Sequence, residues 1–221
     1  MGLSPEAANY AELALGLGAA AKAGAVVNAA TMSQAGASTA ARQSYEDIAK
    51  FGAKGLDVTP DVMKTPQAQA LVKEYQASGV SQNLAGEYAE NLLRTGSNVP
   101  SVSTMRSGEE LIKVVPRTAL GDDGVSSRTA YFVTRSEYER LSQLPTAEIA
   151  RQLGLPAEQA IRGTQLGFEA YSMTPKPGTS ATVFTSKIAP VEQGSYTASG
   201  GAQQTLAPNR AQWTDPTKIG S

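Results

Sequence analysis

Apolar and polar positions follow two different periods along this chain, and the change of period divides it. Between residues 65 and 96 the apolar side chains recur every three or four positions, the spacing of one helix face. "TPQAQALVKEYQASG" opens on Thr65-Pro66 and closes near Gly79, and "SQNLAGEYAENLLRTG" opens on Ser81 and closes at Gly96. A hydroxyl cap, an early proline and a terminal glycine are helix boundary signals. Ser4-Pro5-Glu6 opens an earlier segment in the same way, but Gly16, Gly18 and Gly24 interrupt it. That predicts a loose, Ala-packed helical segment, marginal on its own.

Residues 96–104, "GSNVPSVST", form a polar connector, which predicts a boundary between a helical segment at 1–95 and a second domain at 96–221. Beyond it, Ser107-Gly108-Glu109-Glu110 has the form of a capping box and predicts a short helix through "ELIKVV". "RTAYFVT" reads as a strand; "YERLSQL" and "AEIARQLG" read as helices capped by Thr134 and Thr146. "GFEAYSMTP" and "TSATVFTSKIAP" are β-rich runs separated by Pro175-Lys176-Pro177-Gly178, a turn signature, and "AQQTLAP" is a last strand. The expected class is α+β: an all-α N-terminal segment, then helices packed on an antiparallel sheet.

Composition removes chemistry more than it assigns any. The chain has 221 residues, a net charge of −1, no histidine and no cysteine. Disulfides, thiolate nucleophiles, histidine general bases and most transition-metal sites are thereby excluded, and no bound cofactor or metal is expected. A net charge near zero carries no global basic field for nucleic acid. Residues 13–30 are small and weakly apolar with Lys22 and Asn28 inside, so no membrane span is expected there.

Two stretches carry candidate chemistry. Arg106, Lys113, Arg117, Arg128 and Arg135 lie close in sequence, interleaved with Glu109, Glu110, Asp122 and Asp123. A solvated mixed-charge surface accounts for them; so does convergence of Arg117, Arg128 and Lys187 on phosphates, where guanidinium forks suit bidentate contact. The second stretch is "KIAPVEQGSYTASGGAQQTLAP", residues 187–208. It reads as a polar Gly- and Ser-rich loop between apolar runs, either an ordinary hairpin loop or a ligand-facing one. Gln203 begins a strand there, its amide able to orient a water or a ribose hydroxyl, and Thr205 adds a hydroxyl. The single tryptophan, Trp213, is expected to pack the tail onto the core.

"LSPEAANYAELALGLG" followed by an α+β domain resembles the C-terminal region of CdiA-type contact-dependent growth inhibition proteins. The resemblance covers the modular plan of the whole chain. It implies a secreted, cell-surface protein whose entry segment uses an inner-membrane receptor of the target cell. It also implies a toxin domain acting in the target cytoplasm and a cognate immunity protein as partner. Within such toxins, small domains of helices on an antiparallel sheet resemble the barnase, EndoU, colicin and RelE group, which implies tRNA as substrate. In a metal-independent ribonuclease of that kind, Arg117, Arg128 and Lys187 would stabilise phosphorane charge. Tyr131, Glu137 or a lysine of lowered pKa would move protons, while Gln203 and Thr205 orient the ribose.

Ala189-Pro190, then Ser199-Gly200-Gly201-Ala202-Gln203, also resembles the end of NAD-glycohydrolase toxins, in which Gln203 would be a site residue. The Arg-Phe-Gly arrangement of those toxins is replaced here by "GDDGVSSRTAYF", and their site histidine has no counterpart. Ribonuclease is the preferred expectation, because the lack of histidine costs it less. NAD⁺ hydrolysis or ADP-ribosyl transfer is the alternative, and a non-enzymatic adhesin module is the third.

Overall fold

A computed structural model of the chain describes residues 52–117 and 130–220. Among the described residues three helices come first: α1 (Pro60–Met63), α2 (Pro66–Ala77) and α3 (Gln82–Arg94). Strands β1 (Ser101–Arg106), β2 (Leu111–Pro116) and β3 (Tyr131–Thr134) precede helices α4 (Arg135–Ser142), α5 (Thr146–Gln152) and α6 (Ala157–Leu166). Strands β4 (Phe168–Met173), β5 (Ser180–Lys187), β6 (Val191–Gln193), β7 (Tyr196–Ala198), β8 (Gln203–Leu206) and β9 (Thr217–Lys218) complete the described chain. Seven strands form one sheet in the order β1-β5-β8-β3-β2-β4-β9, with antiparallel neighbours, and β6-β7 is a separate hairpin. The fold is α+β.

Capping follows the sequence at α2 and α4, whereas Ser81 at the start of α3 makes no side-chain cap bond and Thr146, expected to cap α5, is its first helical residue behind Pro145. Thr65 Oγ1 accepts from Ala68 N at 3.3 Å at the start of α2, and Thr134 Oγ1 accepts from Glu137 N at 3.3 Å at the start of α4. The helix expected through "ELIKVV" is instead strand β2. Its side chains are buried along nearly the whole run, as in a central strand covered on both faces. The acidic pair that mimicked a capping box closes a turn: Glu109 N donates to Arg106 O at 3.0 Å, and its Oε2 accepts from Arg106 N at 2.6 Å.

Part of the polar connector is strand β1, an edge strand pairing with β5 from Ser101–Thr185 to Arg106–Ser180. An edge strand exposes most of its side chains, so its sequence carries no apolar alternation. Helix α6 has no expected counterpart. It follows Pro156 without a hydroxyl cap, and its first amide, Ala157 N, donates to Gln193 Oε1 of β6 at 2.7 Å.

Side chains cover both faces of the sheet. On one face, α1–α3 pack over β3, β5 and β8 through Leu71, Leu92, Leu93, Phe184 and Leu206. This cluster joins residues from both sides of position 96. Helices α4–α6 cover the same face further along, through Ile112, Val133, Leu141, Ile149 and Leu155. The opposite face carries Leu111, Phe132, Met173, Val183 and Trp213 under the C-terminal segment. Trp213 packs into this core, as expected of it.

Candidate active site

Strand β3 changes partner midway. Tyr131 and Phe132 pair with Leu206 and Thr205 of β8, whereas Val133 and Thr134 pair with Ile112 and Leu111 of β2. Past Ile112 and Val133 the β2–β3 ladder stops, while β2 stays paired with β4 out to Pro116. The sheet parts there, and a pocket of about 100 Å³ opens, lined by residues 112–114 of β2 and 131–133 of β3. Leu153 to Pro156, Ile188, Ala189, Val191, Gln204 and Thr95 form its other walls. Pockets that take a drug-sized ligand run to roughly 300–1,000 Å³. This one admits a single ring-sized group, with the rest of a ligand outside.

Three polar side chains define its chemistry. Gln204, 3% exposed, donates through Nε2 to Thr95 Oγ1 at 3.1 Å and to Ser186 Oγ at 3.0 Å. Both N–H bonds are engaged within the protein, so Oε1 is the end of the amide available to accept from a ligand. Lys113 is buried on β2, with Nζ 5.7 Å from the Tyr131 ring centroid, within cation–π range. Burial, with a lesser push from Arg210, lowers its pKa to about 7. Burial raises that of the Tyr131 hydroxyl, which stays protonated at neutral pH.

The Gly-rich stretch sets the pocket wall. Gly201 N donates to Ile188 O at 2.9 Å, Ile188 N to Ala202 O at 2.9 Å, and Gly200 N to Arg151 O at 2.9 Å. Residues 200–202 are thereby laced to the 188–189 wall and to the end of α5. Gly200 has φ +62°, and a Cβ there would lie 2.5 Å from the carbonyl oxygens of both Ile188 and Ala189. Two glycines in succession answer a close backbone approach, and the rest of the expected loop is the β6–β7 hairpin.

The residues singled out from the sequence do not gather at one point. Tyr131 lines the pocket. Lys187 and Gln203 are register partners, both exposed, at one end of β5 and β8. Gln203 N donates to Glu137 Oε1 at 2.9 Å. Arg117 lies just past the far end of β2, exposed, its Nε donating to Phe168 O at 3.3 Å. Leu111, at the Gln203 end of β2, is six residues from Arg117, or about 20 Å along a strand. Thr205 is buried on the opposite face, and Arg128 lies outside the described residues. Sequence reasoning passed over Gln204 in favour of its neighbour and left Lys113 as one of several surface cations. A lysine inside the apolar run "LIKVV" was the available signal.

Most other described cations are engaged. Arg94, Arg140, Arg162 and Lys218 pair with Glu90, Glu137, Glu158 and Glu169 at 2.6, 2.7, 3.1 and 2.6 Å. Arg135 and Arg151 pair with Glu110 and Glu148.

No protein-family model and no curated protein matches the sequence. Solved structures similar to this chain include the following two. One is Rhs1-CT in complex with its cognate immunity protein RhsI1: TM-score 0.35, 17% identity, 57% of this chain and 81% of that one. The other is Tse6 in complex with Tsi6: TM-score 0.37, 15% identity, 70% of this chain and 95% of that one.

Proposed function

We propose that this chain is an inter-bacterial toxin whose described domain hydrolyses NAD⁺, with the nicotinamide ring in the pocket between β2 and β3. The observation that carries this reading is a ring-sized, largely apolar pocket with one fixed amide acceptor. Apolar walls suit the pyridine face, and Gln204 Oε1 suits the carboxamide N–H₂. In the reaction the C1′–N bond breaks, nicotinamide leaves neutral with the electron pair, and water adds to C1′, releasing a proton. The ribosyl centre becomes cationic on the way, so a neutral Lys113 amine is favoured beside it over an ammonium. Activity is therefore expected to rise with pH through about 7, the pKa of Lys113. A flat profile from pH 6 to 8 would remove Lys113 from this role.

Ribonuclease activity on tRNA is supported less well. Extended RNA is bound by a continuous basic surface, and most described cations here are held in ion pairs. Lys187 and Gln203 do stand side by side, so both substrates belong in one experiment. The purified chain is incubated with NAD⁺ and, separately, with tRNA. Nicotinamide release with intact tRNA is expected. Tranfer RNA fragments ending in 2′,3′-cyclic phosphate, without nicotinamide, would establish the ribonuclease instead.

Gln204→Leu is expected to lower kcat/KM for NAD⁺ by about 10- to 100-fold, the worth of one buried hydrogen bond of ~1–3 kcal/mol. The same change at Gln203 should leave it within about threefold. Equal losses at both positions would contradict the assignment. A cognate immunity protein covering the pocket mouth is the proposed partner. Entry into the target cell by way of an inner-membrane receptor is assigned to the N-terminal segment, most of which lies outside the described residues.

A further inference from the structure

A second polar cluster lies on the sheet face turned away from the helices. Lys113 sits two residues beyond Leu111 on β2, and their β4 partners are Tyr171 and Met173. Alternation puts all four on one side. Leu111, Met173 and Phe132 pack there with Ala207 and Trp213. Thr205, opposite Phe132 and two residues before Ala207, shares that side. A strap, residues 209–213, runs over them. Its Arg210 guanidinium lies 5.1 Å from the Phe132 ring centroid and contacts the Met173 sulfur. Lys176 N to Gln212 O and Thr214 N to Thr174 O, both 2.9 Å, tie the strap down.

Beneath this strap polar atoms are left over. Arg210 Nε, the Tyr171 and Thr205 hydroxyls, Trp213 Nε1, Asn209 Oδ1 and Gln212 Oε1 are buried without a hydrogen-bond partner among the described residues. Lys113, 4% exposed, pairs with no carboxylate among the described residues. Asp215 acts on Arg210 only through its field. Each buried polar group without a partner costs about 1–3 kcal/mol, and native structures contain few. Four of the six belong to the strap itself, on Asn209, Arg210, Gln212 and Trp213, and Tyr171 is the register partner of Lys113, whose pKa Arg210 helps to lower. Most of the atoms are N–H or O–H donors. Arg210, joined by Lys113 where that amine is protonated, stands among donors that suit an oxyanion with several oxygens.

We propose that the β2–β4 face under the 209–213 strap binds a phosphoryl oxyanion. Arg210 and the protonated form of Lys113 hold its charge, and Tyr171 and Trp213 donate to its oxygens. The site stands whether or not the pocket hydrolyses NAD⁺. Because Lys113 also lines that pocket, a phosphate bound here borders any ring bound there.

The test is titration of the full chain with inorganic phosphate and with AMP, followed by calorimetry and by thermal unfolding. Saturable binding with a rise in Tm is expected. Lys113→Met and Arg210→Gln are each expected to weaken it at least about tenfold, in line with a charge-assisted bond. Arg210→Lys should retain most of it. AMP binding more tightly than phosphate identifies a nucleotide source, and phosphate binding more tightly than AMP identifies the free ion; either supports the site. No saturable binding of either ligand to the wild-type chain would overturn it. So would unchanged binding in both charge-removing variants with wild-type circular dichroism. Should a variant fail to fold, the wild-type titration decides alone.

Discussion

Gly200→Ala is expected to destabilise the domain by about 3–5 kcal/mol, combining left-handed backbone strain with backbone overpacking. Gly200 sits at φ +62°, and its new Cβ would meet two carbonyl oxygens at 2.5 Å. Neither oxygen belongs to a flexible side chain, so relief requires movement of the 188–189 strand connection, which is a wall of the pocket. Gly178 is the control: φ is +73°, but no atom lies within 4 Å of a Cβ there. Gly178→Ala carries the strain alone and should cost about 1–2 kcal/mol. Urea midpoints of the two variants make the comparison. Equal losses would mean that the close approach of residues 200 and 188–189 contributes nothing.

The second large effect is a pH dependence of stability that runs opposite to that of a salt-bridged lysine. The Lys113 amine holds its proton to about 10.5 when unfolded but only to about 7 when folded. Between those values the unfolded chain binds more protons, so stability climbs as pH rises. Below about 7 both states are protonated and the destabilisation is complete. Each pKa unit corresponds to about 1.4 kcal/mol, so the two units between pH 7 and pH 9 amount to about 2–3 kcal/mol.

Lys113→Met keeps the length and apolar stem of the side chain and removes the charge. It is expected to raise stability at pH 6 and to flatten the rise toward pH 9. Arg210 and Tyr131, which lie near the amine, keep their protonation over that window in the wild-type chain. Urea denaturation at pH 6, 7.5 and 9 measures it. A variant less stable than wild type at pH 6 would show that a counter-charge already compensates the ammonium.

Much of the fold was legible because its signals are local. Helices α2, α4 and α5 start at Pro66, Arg135 and Thr146, where hydroxyl or proline signals stand in the sequence. Strands β4 and β5 coincide with β-branched and aromatic runs bounded by turns, and β8 falls in the stretch "AQQTLAP". The misread elements have their causes elsewhere in the chain. Strand β2 carries an acidic capping-box mimic, and only its two strand neighbours and two covered faces make it extended. Strand β1 is polar because one of its edges is bare. Helix α6 is capped by a side chain 36 residues downstream.

The site divides in the same way. Glycines 200 and 201 announced a special backbone, and the absence of histidine and cysteine bounded the chemistry before any coordinate was known. Which glutamine of the pair faces inward depends on the register of β8 against β5, where Gln204 meets Ser186 and Gln203 meets Lys187. A slip of one residue would reverse the two.

Composition and local pattern thus determined the α+β class, most element boundaries and the exclusion of imidazole and thiolate chemistry, because caps, turns and side-chain inventory act within a few residues. Tertiary structure alone decided that β3 changes partner and parts the sheet. It alone decided that Lys113 is buried beside Arg210 and that Gln204 is the amide in the pocket. Those outcomes depend on contacts between segments up to about a hundred residues apart, such as Gln204 with Thr95, separated by 109, and no local pattern encodes them.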